Sequence, residues 1–355
     1  MNRPHVLVIG AGIIGASIAW HLARAGARVT VTDAQELGGV ATRNSWAWIN
    51  ASWGNPEPYF RLRVHAMHEW YRLEREVQGV HVSWVGSLLW ELPPDDLKTF
   101  HAEHSAWDYD VRLLDRAEIR RIEPHLVDPP ELAVHAPAEG AIEPLSTTHA
   151  LLAAAEAHGA TIIANNRVNS LQRRGGRVIG AETSIGLLEA DEVVVAGGVG
   201  TSALLSAIGL RLPIRAAPAL LVRTQPHDKR LSGLVMSPEM QLWQTPEGQF
   251  VAALESPGKT NAEAVQAAAV GLDLIKRMIA STSALAMDSH IVGIRPIPED
   301  GFPVVGRAPG AAGLYIAVTH SGITLAPAIG HFVAAELLTG VVDDLINRYG
   351  PDRIS

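Results

Sequence analysis

The chain reads as an α/β protein, α+β over its whole length: a Rossmann-like dinucleotide-binding domain with an inserted domain built on a mostly antiparallel sheet. Three observations predict this. The chain opens with a strand, a glycine turn, a helix and a second strand that ends in an acid. Two later apolar strands, 193–195 and 314–318, also run into glycine-bearing turns. Between these segments, 80–136 and 212–290 carry stretches whose apolar residues alternate as in antiparallel strands. The expected division is 1–79, 140–211 and 291–355 for the dinucleotide-binding domain, and 80–139 with 212–290 for the inserted one.

The opening unit is the most informative. A mostly β-branched run from His5 to Ile9 meets Gly10, Gly12 and Gly15, after which the apolar spacing turns helical. Gly10 allows a tight turn, Gly12 lets a pyrophosphate approach the backbone, and Gly15 lets the helix pack close to the strand. The helix start, at Ile13 and Ile14, offers free N–H groups and a partial positive charge to phosphates. Asp33 follows the glycines by about 20 residues and is placed, with Ala34 next to it, to accept a hydrogen bond from a ribose hydroxyl. The motif alone leaves NAD and FAD both open.

The loop Ala41-Thr42-Arg43-Asn44-Ser45 adds small and hydroxyl-bearing residues that suit further cofactor contacts. Trp46, Trp48 and Trp53 follow within a short run, with Trp46 and Trp48 on one side of an extended segment. They wall a pocket or fill core. Residues 58–78 have helical spacing; His65 and His68 on this helix read as a solvated or packing pair, not a metal site, and no metal is expected. The segments 80–84 and 87–91 look like antiparallel strands flanking Gly86. Helical stretches follow at 95–106 and 116–122.

The run 146–158 predicts a helix capped by Ser146 or Thr147 and closed by Gly159. Val193 to Val195 is continuously apolar, as in a strand covered on both faces, and leads into Ala196, Gly197 and Gly198, a second close backbone approach. Alternating strands are expected at 220–224, 240–244 and 249–253, with an amphipathic helix between Thr260 and Ser281. The last strand runs into His320, Ser321, Gly322, Ile323 and Thr324, then a helix from about 326 with Pro327 in its first turn.

Composition limits the chemistry. A net charge of −8 gives no general attraction to nucleic acid, and the absence of cysteine excludes disulfides, thiolate catalysis and a cysteinyl-linked flavin. With a strand starting at His5, no signal peptide is expected. No uninterrupted apolar stretch reaches the length of a transmembrane helix, and the cytoplasm is the expected compartment.

Taken together, these pieces resemble the FAD-dependent D-amino acid oxidase superfamily, which includes glycine oxidase, sarcosine oxidase and D-amino acid dehydrogenases. Three segments carry the resemblance: Gly10 to Gly15 with Asp33, Val193 to Gly198, and Gly293 to Gly330. The last is the most specific, with Gly293-Ile-Arg295-Pro296, Asp300-Gly301-Phe-Pro303-Val-Val-Gly306, Gly313-Leu-Tyr315 and the turn at 320–324. The resemblance implies non-covalent FAD. Val168 would give backbone contacts to adenine, residues 41–45 would touch the diphosphate and flavin, and 320–324 would lie at the flavin's pyrimidine edge. A helix start there stabilises negative charge on the ring.

The implied reaction is oxidation of the C–N bond of an amino acid or N-substituted amino acid by hydride transfer to flavin N5, giving an imine that hydrolyses. Arg295 is expected to clamp the substrate carboxylate with two parallel hydrogen bonds, the alternative being a salt bridge to Asp300 or Glu299. His320 would contact the flavin or help deprotonate the amine; Trp46, Trp48 and Gln244 would line the pocket. The acceptor, O2 or a quinone, stays open. So do a 2-hydroxy acid or glycerol phosphate dehydrogenase, and a flavoprotein component of a hetero-oligomer of the opine-oxidase type. A homo-oligomer is equally compatible.

Overall fold

The structure, a computed structural model, describes residues 3–52, 54–255 and 260–354. Trp53 therefore lies outside the described residues. The first sheet runs in the order 304–307, 314–318, 192–195, 5–9, 28–32 and 161–163. Its strands are parallel except Val304–Arg307, which is antiparallel to Leu314–Val318.

Both faces of this sheet are covered, as the unbroken apolar strands anticipated. Val6 and Val8 pack into one core with the helices Ile13–Arg24 and Gly322–Thr339. Leu7, Ile9, Val193 and Val195 pack into another with Leu171, Val178 and Ala181 of a three-stranded meander. The two helices touch closely enough that a Cβ on Gly330 would collide with Ser17 Oγ. Gly322–Thr339 is, among the described residues, the one helix long and apolar enough to cross a membrane, and 67% of it is buried inside the fold.

The second sheet has eight strands in the order 287–298, 214–224, 250–255, 241–244, 234–236, 87–89, 132–136 and 112–115. All its neighbours are antiparallel except 234–236 with 87–89, which joins the two inserted stretches. One face buries Leu220, Val222, Leu242, Phe250 and Ala252 under the helix Asn261–Met278. Thr260 opens that helix with a capping box to Glu263. The other face carries Leu221, Trp243 and Val251 into the core shared with the first domain.

Several local expectations need correction. Residues 82–83 do not pair with 87–89; they join 48–49 and 140–142 in a small sheet at the junction of the two domains. The predicted cap at Ser146 or Thr147 is not used, because the helix starts at Pro144, whose missing N–H costs nothing in a first turn. The strand Met287–Pro298 pairs with Ile214–Thr224, with one register shift between Arg223 and Thr224, so the expected boundary at 290/291 falls inside one strand. The last helix begins at Gly322, which puts Pro327 inside it rather than in its first turn.

Candidate active site

The three glycine turns meet. Gly10, at φ +110°, approaches the second turn so closely that a Cβ would lie 2.5 Å from Ala196 O. A Cβ on Gly15 would collide with Gly10 O, which explains glycine at the helix–strand contact. A Cβ on Gly322 would lie 3.7 Å from Ile14, so the third turn sits against the first helix. Gly12 faces Thr42, whose Oγ1 accepts the Ile13 N–H at 3.1 Å.

Asp33 is held in place from two sides. Its Oδ2 accepts the Ala11 N–H at 2.7 Å and its Oδ1 the Gln35 N–H at 2.9 Å. Ala34 beside it is exposed. Asn166 fixes the neighbouring strand end, with its N–H on Asp33 O and its amide on Thr32 Oγ1. Val168 starts the next strand just beyond, paired with Thr183. Ser45 Oγ accepts the Ala47 N–H at 3.0 Å. Arg43 straps its own loop, donating to Gly39 O at 3.2 Å and Leu37 O at 2.8 Å. Asn44 packs against Gly293, where a Cβ would lie 2.6 Å from Asn44 O.

These residues fit FAD. Buried polar atoms without a protein partner include Thr201 Oγ1 near Gly197, Thr319 Oγ1 beside His320, and Asn50 Nδ2 at the start of the last helix. Ser321, the N-cap of that helix, makes no side-chain cap; its hydroxyl instead accepts from Arg63 at 2.6 Å. The first turn thus keeps its N–H groups for a ligand oxygen. Thr324 Oγ1 ties the same turn to Trp48 O at 3.2 Å and to the Asn50 N–H.

Two residues at this end escape a motif reading. Arg63 is 4% exposed and donates to Asn50 O, Asn50 Oδ1 and Ser321 Oγ, with no carboxylate partner among the described residues. Its signal is positional: it falls on the apolar stripe of helix Glu57–Glu76 between Phe60 and Met67. Glu139 is fully buried and accepts from Trp48 Nε1, Ala51 N, Ser52 N, Ser87 Oγ and Tyr109 OH. Burial, then the charge of Glu139, holds the Tyr109 phenol protonated.

The inserted sheet faces this turn. Arg295 lies on the shared sheet face, and among the described residues its side chain makes one hydrogen bond, 3.3 Å to Pro218 O. The alternative salt bridge does not form, since Asp300 is taken by Arg353 at 2.8 Å and Glu299 makes no ion pair among the described residues. Partial desolvation, then the charge of Arg215, holds the Arg295 guanidinium below its ordinary value against the pull of Glu255. His320 is open to solvent yet recessed between the domains. Desolvation and the charges of Arg295, Arg63 and Arg215 bring its imidazole down to about 4.

Trp46 and Trp48 pack edge to face at 5.6 Å. Trp46 Nε1 donates to Val251 O across the domain junction, and Trp48 reaches Glu139. Gln244 is not brought to the cleft. It is 2% exposed, and its amide is spent on His227 O, Asp228 O and Gly248 O and on the N–H groups of Arg230 and Leu231. It holds a loop together. His65 stacks on Phe332 at 5.3 Å, and no group of metal-binding side chains occurs among the described residues.

The family described as FAD dependent oxidoreductase (DAO) matches residues 5–336. One of the subunits of the opine oxidase of Agrobacterium tumefaciens is 26% identical over 376 residues, covering 99% of this chain and 98% of that one. Glycine oxidase of Bacillus licheniformis is 27% identical over 363 residues, covering 95% and 94%. The solved structure of iminodiacetate oxidase from Chelativorans sp. BNC1 superposes with a TM-score of 0.85 at 26% identity, covering 98% of each chain.

Proposed function

The chain belongs to the family of FAD dependent oxidoreductases, and from that premise we propose that it oxidises the C–N bond of an amino acid or N-substituted amino acid. The observation that carries the reading is Arg295: a guanidinium on the cleft face, without a carboxylate partner among the described residues, opposite the uncapped turn 320–324. A guanidinium so placed binds a carboxylate bidentately and sets the adjoining Cα. The names of the relatives, glycine oxidase, iminodiacetate oxidase and opine oxidase, support the same substrate class.

The chemistry that FAD supplies when bound is the acceptance of two electrons as hydride. Gly10, Gly12, Gly15 and Thr42 would hold its diphosphate, Asp33 its ribose, and the 322–324 turn its pyrimidine edge. His320 is neutral at pH 7, so it accepts a hydrogen bond from the substrate ammonium without repelling it. Its lowered basicity suits it to orienting the ammonium rather than to holding a proton. Trp46 and Trp48, packed edge to face, would wall the cleft.

The test is anaerobic loss of flavin absorbance in the holoenzyme across D-, L- and N-methyl amino acids and 2-hydroxy acids. Bleaching by amino acids alone supports the reading. Bleaching by hydroxy acids alone overturns it. A second reading, that the chain works as one component of a hetero-oligomer, draws on the Agrobacterium relative, which is named as part of an opine oxidase. Turnover of the purified chain with an artificial acceptor would remove it.

A further inference from the structure

Arg215 has no part in the reading above, yet it stands beside the residue that carries it. It pairs with Ile297, and Arg295 on the neighbouring strand pairs with Ala217. Directly opposed residues share a sheet face, as do residues two apart on one strand. Arg215, Ala217, Arg295 and Ile297 therefore share one face, and the two arginines are diagonal neighbours about 7–8 Å apart. It is the face that carries Leu221 and Val251 against the dinucleotide-binding domain.

Ala217, Ala219 and Gly293 on this face are small, and the bulky neighbour is Ile297, directly opposite Arg215. Among the described residues the Arg215 side chain makes neither an ion pair nor a hydrogen bond. Its charge opposes the protonation of both Arg295 and His320. Arg215 also lines an open cavity of 880 Å³ with Ser202, Arg211, Leu212 and Glu299, so the space beside Arg215 is not packed shut. Two like charges set side by side repel, and a bound anion on each removes that cost.

We propose that Arg215 is a second carboxylate-binding residue, and that the substrate is a secondary amine carrying two carboxylates, one on the carbon oxidised and one on the N-substituent. The inference rests on Arg295 binding the first carboxylate. Arg215 then determines specificity and does not take part in the bond change.

The test uses the holoenzyme and two thioethers, which resemble the substrate but have no C–N bond to oxidise: thiodiacetate with two carboxylates and methylthioacetate with one. Binding is read from perturbation of the flavin absorbance and by calorimetry. Thiodiacetate should bind on the order of 10–100-fold tighter. Arg215→Gln should bring that ratio close to one, and Arg215→Lys should leave it intermediate. Turnover of iminodiacetate relative to N-methylglycine should fall in parallel. An unchanged ratio in Arg215→Gln, with methylthioacetate still dependent on Arg295, overturns this inference alone. Failure of both ligands to bind the unsubstituted protein, with no flavin bleaching by any amino acid, overturns the reading of Arg295 and this inference with it.

Discussion

The indole Nε1–H of Trp70 donates to Ile323 O at 3.1 Å, the carbonyl that Pro327 leaves without its helical partner. A residue at 327 with an N–H would bond to position 323, four residues back. Proline has none, and Trp70, fully buried on the 57–76 helix, supplies the donor and reaches Thr324 O as well. The proline is thereby tolerated inside the helix whose start forms the third glycine turn. Trp70→Phe should cost about 1–3 kcal/mol in denaturant unfolding, the cost of a buried acceptor left unmet. In the Trp70→Phe background, Pro327→Ala should restore part of that loss, because it returns the helical N–H. Independent, additive effects would show that the two residues are not coupled.

Glu139 gathers five donors from 48–52, Ser87 and Tyr109, so it joins the Trp-rich segment to the inserted domain. Glu139→Ala strands those donors in a dry interior. Unfolding should be easier by about 3–5 kcal/mol, and Glu139→Gln, which keeps some acceptors, should lose less. Equal stability of the alanine variant and the unsubstituted protein would show that the cluster is not a fastening.

Asp33 is fixed by two backbone N–H groups before any ligand arrives, which spares the cost of ordering it on binding. Asp33→Ala should weaken FAD binding on reconstitution of the apoprotein by about 10-fold or more. Fluorescence titration with FAD would measure it. Unaltered affinity would remove Asp33 from the ribose site.

His21 is buried on the helix that follows the first glycine turn, donating from Nδ1 to Ser17 O at 2.8 Å and accepting from Arg72 at Nε2. Burial brings its pKa down to about 3. The unfolded chain binds this proton near pH 6.5, whereas the native chain refuses it until about 3. Its contribution is therefore fully present above pH 6.5 and is lost as the pH falls towards 3. The loss is on the order of 3–5 kcal/mol over that window. His21→Gln should flatten the stability profile between those limits. An unchanged slope would place the acid sensitivity elsewhere.

What the sequence makes legible follows from local chemistry. The three glycine turns are readable because a Cβ at Gly10 or Gly15 meets backbone, so residue type reports geometry directly. Asp33 is readable because it ends a strand at a set distance from them. Gln244 misleads: a polar residue in an alternating strand looks like a pocket residue, and only the fold shows its amide consumed by a loop. The pairing of 82–83 with 140–142 is invisible in the local pattern, because register between distant segments leaves no periodic trace. Arg63 and Glu139 are missed for a related reason. Each is a charge whose partners come from distant segments, and only the displaced position of Arg63 on an apolar stripe could have marked it.

The central claim is that Arg295 holds the substrate carboxylate in front of the bound flavin. Its most direct test is Arg295→Lys in the holoenzyme, with anaerobic flavin bleaching followed against concentration of the best amino acid substrate. Replacing a planar fork with a point charge should raise the half-saturating concentration by about 10–100-fold. Bleaching as ready as in the unsubstituted protein at low substrate would contradict the claim.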